Sequence, residues 1–175
     1  MDAGRAGFAA FVHARSAALG RTAHLLTADR HLAEDLLQEA LTRVAVRWER
    51  VVAAGDPEPY VRRVLYTCAV DGWRRRRLTE VLGWDPPEVR DPEDAGDAAT
   101  GRLVLRDALG RLTARQRAVL VLRFYEDLTE VQTAELLGCS VSTVKSQTRH
   151  ALGRLRVLAP GLEAAFRPDL EQVRS

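Results

Sequence analysis

The chain has 175 residues, of which 46% are hydrophobic and 29% charged, the composition of an ordinary soluble globular protein. It contains no run of about 18 apolar residues and begins without a charged-then-apolar leader, which argues against a membrane-spanning or secreted protein and predicts a cytoplasmic one. The length suits one medium domain or two small ones.

The net charge of +2 conceals an uneven distribution along the chain. Residues 1–82 sum to +3, residues 83–100 to −5 and residues 101–158 to +5, and the last seventeen contribute −1. Two basic halves joined by an acidic connector are typical of a bipartite nucleic-acid-binding protein. Because 25 of the 26 basic residues are arginine, a skew typical of GC-rich genomes, arginine abundance alone is weak support.

Apolar residues in the first half recur every three or four positions, which predicts helices rather than strands. The first helix is predicted from about residue 7 to 26. Asp29 is a plausible N-cap for a second helix that continues to about Val51. Asp56 and Pro57 give a third helix a clear start, and it is predicted to end near residue 82.

The second half contains two capping-box patterns. Thr113 and Thr129 each precede a glutamine by three residues, and they open helices predicted to end near residues 125 and 137. A further helix is predicted before them, over about 103–110. Gly138 suits a left-handed helix end, and Ser140 caps a final helix to about residue 158.

These elements predict an all-α fold of two small helical domains, residues 1–82 and 102–158. The segment 83–101, rich in proline, glycine and acid, is predicted to be an acidic flexible linker, and residues 159–175 a loosely held tail. Two distant cysteines and four histidines lack metal-ligand spacing, so no metal is expected. Phosphate loops, nucleophile elbows and paired catalytic acids are absent, so neither a cofactor nor catalysis is expected.

Residues 128–150 have the lengths of a helix-turn-helix, a DNA-binding motif. On a helical wheel Val144, Thr148, Ala151 and Leu155 form a buried seam together with Val141 and Leu152. The polar side chains outside this seam are the predicted DNA-binding residues Ser142, Thr143, Lys145, Ser146, Gln147, Arg149 and His150. The alternative is an ordinary helical hairpin with a solvated polar face.

The third helix interleaves basic and aromatic side chains on the face opposite its apolar stripe. Arginines can hold phosphates while aromatic rings stack on unpaired bases, which suits DNA whose strands are separating. The predicted residues are Arg62, Arg63, Tyr66, Thr67, Val70, Trp73, Arg74 and Arg77. The alternative is a solvated arginine-rich helix end.

The second helix presents an outer face of acid, amide and hydroxyl groups, with an exposed aliphatic residue, Val46. This mixture favours docking against another protein over simple solvation, although single exposed apolar residues are common. The predicted docking residues are Asp35, Gln38, Glu39 and Thr42.

Several motifs resemble the extracytoplasmic-function sigma factors of bacterial RNA polymerase, specifically the actinobacterial SigE branch. They are AEDLLQEA (33–40), YVRR (60–63), DGWRRR (71–76), LTARQRAV (112–119) and TVKS (143–146). The resemblance covers about residues 8–158 in the family's order and separation.

The resemblance implies a factor that selects promoters as a subunit of RNA polymerase and catalyses nothing itself. Residues 35–43 resemble the part that docks on the β′ clamp, residues 60–77 the part that melts and reads the −10 element, and the helix-turn-helix the −35 reader. The acidic linker resembles one threaded towards the RNA exit path. The implied partners are core polymerase, through its β′ clamp and β flap, promoter DNA and an anti-sigma factor, the free protein being a monomer.

The sequence departs from the family at three reading positions. Thr67 stands where related factors often carry asparagine, and Gln147 and His150 stand where arginine is frequent, so the base preferences do not follow from the family. Two other functions are less well supported. One is an autonomous helix-turn-helix regulator with a sensing or dimerisation domain, which the basic third helix and the acidic linker disfavour. The other is an enzyme with a DNA-binding appendage, for which the sequence shows no catalytic constellation.

Overall fold

The computed structural model describes residues 2–81 and 100–160, and within these ranges the chain is helical without strands. The helices are α1 (Asp2–Thr27), α2 (Arg30–Ala45), α3 (Trp48–Ala53), α4 (Glu58–Val81), α5 (Thr100–Gly110), α6 (Ala114–Leu120), α7 (Glu130–Leu137) and α8 (Val141–Leu158). The chain divides into two compact units, with the first four helices in one and the last four in the other. The predicted all-α fold of two helical domains is confirmed.

Most of the predicted linker, and the predicted tail beyond residue 160, lie outside the described residues. The last two residues of the predicted linker belong to α5, which begins at Thr100. None of the helices in the described ranges combines the length and apolarity that a membrane span requires.

In the first unit, α1 packs along α2, and α4 packs against both of them. The reversal between α1 and α2 uses Ala28, whose φ of 55° lies in the left-handed region. Asp29 then caps α2, its Oδ1 accepting a hydrogen bond of 2.8 Å from the backbone N–H of Leu32. This confirms the predicted cap.

The prediction that the second helix runs unbroken to about residue 51 is wrong. α2 ends at Ala45, and the chain turns through Val46 and Arg47 before α3 begins. The turn places the Trp48 ring against Phe8 and Phe11 of α1, with ring centroids 5.1 and 5.2 Å apart. Burial of the large indole explains why an otherwise helical sequence is interrupted here.

The start of α4 agrees with the prediction, because the Asp56 carboxylate accepts a hydrogen bond of 3.0 Å from the backbone N–H of Glu58. The Glu58 carboxylate then joins two helices. It lies 3.0 Å from Arg15 Nε of α1 and 2.8 Å from Arg62 Nη2 of α4. The apolar stripe of α4 is buried as predicted at Val61, Leu65, Cys68 and Ala69.

In the second unit, α8 packs against α6 and α7. Both capping boxes form, at Thr113 and Thr129, and Ser140 caps α8, as predicted. Gly138 ends α7 with φ 61° and ψ 46°, the left-handed conformation that glycine adopts without steric cost. These local signals fix the three-residue turn that separates the two helices of the motif.

The connection between α6 and α7 is a π-helical turn over Val121–Tyr125. Arg123 donates a hydrogen bond from this turn to the backbone carbonyl of Leu128. The buried Arg117 donates one of 3.1 Å to the carbonyl of Leu109, near the end of α5. Two arginines therefore hold the chain segments that support the helix-turn-helix.

Candidate nucleic-acid and polymerase interfaces

Helix α8, the second helix of the helix-turn-helix, separates a buried seam from a polar outer surface. Val144, Thr148, Ala151, Leu152 and Leu155 are buried, as the helical wheel predicts, and Val141 is half-buried. Outside the seam, the predicted DNA-binding residues are exposed at Ser142, Lys145, Ser146, Arg149 and His150, and half-buried at Thr143 and Gln147.

The hydroxyl groups near the start of α8 are largely engaged locally. The Ser140 Oγ lies 2.8 Å from both the Ser142 Oγ and the Thr143 Oγ1, and it accepts a hydrogen bond from the Thr143 N–H. The Ser146 hydroxyl donates to the Thr143 carbonyl at 3.0 Å. These hydroxyls therefore stabilise the helix start, and the longer side chains of Lys145, Gln147, Arg149 and His150 have the reach to contact bases and phosphates.

Lys145 has an acidic neighbour that the sequence pattern did not reveal. Its Nζ lies 3.7 Å from the Glu130 Oε2, at the first residue of α7. The two residues are fifteen positions apart, and the three-residue turn brings them together. Glu130 therefore belongs to the same surface as the predicted DNA-binding residue Lys145.

The predicted outer face of α4 needs a correction. Tyr66 and Val70 were expected to face outward, but their exposures are only 4% and 5%. The reason is that α4 packs against both α1 and α2, so its buried arc is wider than a single stripe. Tyr66 and Val70 therefore belong to the core of the first unit.

The other predicted residues of α4 remain accessible to different degrees. Arg63, Thr67, Arg74 and Arg77 are exposed, and Arg62 and Trp73 are half-buried. The Trp73 indole Nε1 is buried, with no hydrogen-bond partner among the described residues. The Thr67 hydroxyl donates to the Arg63 carbonyl at 2.9 Å. The exposed part of this face is thus mainly arginine, with Trp73 at its edge.

The predicted docking residues of α2 fall into two groups. Asp35, Gln38 and Thr42 are exposed, and the Thr42 hydroxyl donates to the Gln38 carbonyl at 2.8 Å. Glu39 is half-buried and takes part in ion pairs instead. Val46, 84% exposed, follows the end of the helix. The freely accessible part of the predicted docking surface is therefore Asp35, Gln38 and Thr42.

A network of ion pairs connects α2 with α4. The Glu39 carboxylate lies 2.6 Å from Arg43 Nη2 and 3.5 Å from Arg75 Nη2, and Arg43 Nη1 lies 3.7 Å from Asp71 Oδ2. The spacing of Glu39 and Arg43 could have predicted their pair, since residues four apart are neighbours on a helix. The pairs with Asp71 and Arg75 depend on tertiary packing, and the sequence analysis missed them.

Cys68 lies close to this network and is buried in the core. Burial raises the pKa of its thiol, and the positive charge of Arg43 only partly opposes that effect. Cys68 is therefore protonated at neutral pH and weakly nucleophilic. Both cysteines are free thiols.

Comparison with known families matches both units. Residues 11–79 match the model of sigma-70 region 2, and residues 102–155 match that of sigma-70 region 4. Among curated proteins, the RNA polymerase sigma-E factor of Streptomyces coelicolor is 40% identical over 149 residues, covering 85% of this chain and 84% of that protein. The extracytoplasmic-function sigma factor SigL of Mycobacterium tuberculosis is 35% identical over 150 residues, covering 81% and 82%.

A solved structure has a similar fold. It is the sigma factor RpoE from Bartonella quintana, crystallised with the anti-sigma factor NepR, with a TM-score of 0.62 and 22% sequence identity. The match covers 87% of this chain and 96% of that one.

Two helical units, one ending in a helix-turn-helix with a basic outer face, define a nucleic-acid-binding protein of the transcription machinery. The chain belongs to the sigma-70 family of bacterial RNA polymerase sigma factors, and within it to the extracytoplasmic-function type related to the Streptomyces sigma-E factors.

Proposed function

We propose that this protein binds core RNA polymerase, recognises the −10 and −35 elements of a promoter and starts transcription there, without catalysing a reaction of its own. One observation carries the proposal. The helix-turn-helix in the matched region 4 exposes Lys145, Arg149 and His150 outside a buried, largely apolar seam, on a chain whose other unit matches region 2. Cationic and planar donors on an accessible helix are what phosphates and base edges in a major groove require.

Each of the three proposed surfaces binds a different partner or promoter element. In the first unit, the exposed face of α2 around Asp35 and Gln38 docks on the β′ clamp. The arginine-rich face of α4, with Trp73 at its edge, holds the separating strands of the −10 element. In the second unit, α8 reads the −35 element, and the unit also contacts the β flap. The domain bounds 1–82 and 102–158 belong to this proposal.

The proposed partners are therefore core polymerase and promoter DNA, both in the cytoplasm. An anti-sigma factor, and a monomeric state when free, remain predictions. An autonomous regulator would need a ligand-sensing or dimerising first unit, and the match of that unit to sigma-70 region 2 favours polymerase binding instead.

The proposed roles of the α8 side chains, base contact for some and phosphate contact for another, can be tested. Replacing Arg149 or His150 with alanine is expected to change which −35 sequence is preferred, because both lie about two turns into α8 and are exposed outside its buried seam. About 1 to 3 kcal/mol of discrimination depends on a good bidentate base contact. Lys145→Ala is expected to weaken binding to all promoters alike, because the lost ammonium group suits a phosphate, which every sequence carries.

A promoter library selected by holoenzyme containing each variant checks this assignment. The Lys145 variant should keep the wild-type sequence preference and lower the slope of log affinity against log salt by up to about one unit. If Lys145→Ala changes the preferred sequence while the Arg149 and His150 variants only weaken binding, the assignment of base contacts and phosphate contacts is reversed.

A further inference from the structure

We infer that Glu130 competes with promoter phosphate for Lys145 and thereby sets how tightly the −35 element is held. The inference rests on the proposed −35 recognition by α8 and adds a residue that neither the sequence pattern nor the family match singles out. Lys145 is the only lysine of the chain, and its Nζ lies 3.7 Å from the Glu130 carboxylate.

The two partners of this ion pair are held differently. The Lys145 side chain is 58% exposed, whereas the Glu130 side chain is 28% exposed. Glu130 is the first residue of α7, where the helix dipole favours a negative charge. The carboxylate is therefore the fixed member of the pair, and the flexible ammonium group is the one that can exchange partners.

The position of the pair makes such an exchange relevant to DNA binding. In helix-turn-helix proteins the first helix crosses the DNA backbone while the second enters the major groove. Glu130 on α7 and Lys145 on α8 therefore both approach the same stretch of backbone. To bind Lys145, a phosphate must displace the Glu130 carboxylate from the ammonium group or share that group with it. The negative charge of Glu130 also repels the phosphate.

Glu130→Gln removes the competing charge and preserves the size of the side chain. It leaves the Thr129–Gln132 capping box intact, because Glu130 is not part of it. Exposed ion pairs are weak, so we expect promoter binding to tighten only about two- to fivefold. The salt dependence should steepen by less than about one unit of slope, because in the wild type the released Glu130 carboxylate takes up a cation and so offsets part of the cation release from the DNA.

The experiment measures the affinity of reconstituted holoenzyme for a duplex promoter at several salt concentrations. Four factors are compared: wild type, Glu130→Gln, Lys145→Ala and the double variant. Glu135→Gln is the matched control, because it removes the same charge from an exposed position on the same helix, where the described residues show no ion pair. Thermal unfolding of each variant verifies the fold.

Competition predicts that Glu130→Gln tightens binding in the wild-type background, that this gain disappears when Lys145 is absent, and that Glu135→Gln has a smaller effect. Equal tightening in both backgrounds would mean simple repulsion of DNA by Glu130 and would overturn the inference. Weaker or unchanged binding by Glu130→Gln would overturn it as well. In each of these cases wild-type holoenzyme still binds the promoter, so the proposed function stands; if wild type fails to bind, both fall together.

Discussion

Replacing Asp35 with arginine is expected to weaken binding to core polymerase by about 2 to 5 kcal/mol, the range for removing a charged partner from a desolvated interface. Asp35 is exposed on α2 and is not part of the buried core of the first unit, so the fold should persist. Gln38→Ala is expected to act in the same direction with a smaller effect. Glu39 is a poor choice for this test because its carboxylate holds Arg43 and Arg75.

Core binding can be measured by titrating labelled core polymerase with each variant. Glu34→Arg is the matched control, because it reverses a charge on the neighbouring residue, which is 63% exposed and lies outside the proposed docking segment. The control should bind nearly as wild type does. Wild-type affinity for both Asp35→Arg and Gln38→Ala, with normal thermal unfolding, would exclude this face of α2 as the docking surface.

Replacing Tyr66 with alanine is expected to lower the unfolding free energy of the first unit by about 3 to 5 kcal/mol, as for other large aromatic side chains in cores. Tyr66 is 4% exposed on α4, so the truncation leaves a cavity. Tyr66→Phe keeps the ring and loses only the hydroxyl, which changes stability by about 1 kcal/mol.

Urea denaturation followed by circular dichroism separates the two variants. A large loss of unfolding free energy for Tyr66→Ala and a small loss for Tyr66→Phe would show that Tyr66 acts as a core residue. If Tyr66→Ala is as stable as wild type and instead loses only promoter opening, the ring is available for stacking on bases and its burial is not maintained in solution.

The helix starts and the seam of the recognition helix were predictable because their causes are local. Asp29, Thr113, Thr129 and Ser140 each cap a helix within three residues, and Gly138 ends one by its own conformational freedom. The periodicity of α8 similarly predicts its buried side, because one surface of that helix packs while the other is solvated.

The failures involve packing between distant segments. The break between α2 and α3 depends on Trp48 meeting Phe8 and Phe11, residues far away in the chain. Tyr66 and Val70 were assigned to the wrong side because a wheel assumes one buried face, whereas α4 packs against two helices. Of the aromatic side chains predicted for the −10 face, Trp73 alone keeps partial exposure.

The ion pairs show the same division between local and tertiary causes. Glu39 and Arg43 are four residues apart on one helix, so their contact follows from helix geometry. Glu39 with Arg75, and Glu130 with Lys145, are joined only by the tertiary fold. Ion pairs of this second kind therefore become visible in the structure rather than in the sequence pattern.

In vitro transcription with core polymerase from a closely related bacterium, over fragmented genomic DNA, tests most directly whether this protein selects promoters. We expect a discrete set of start sites that require the protein, share −10 and −35 elements and disappear with Asp35→Arg. Core polymerase that is active with its housekeeping sigma factor, but gives no additional start sites when this protein is added, would contradict the proposed function.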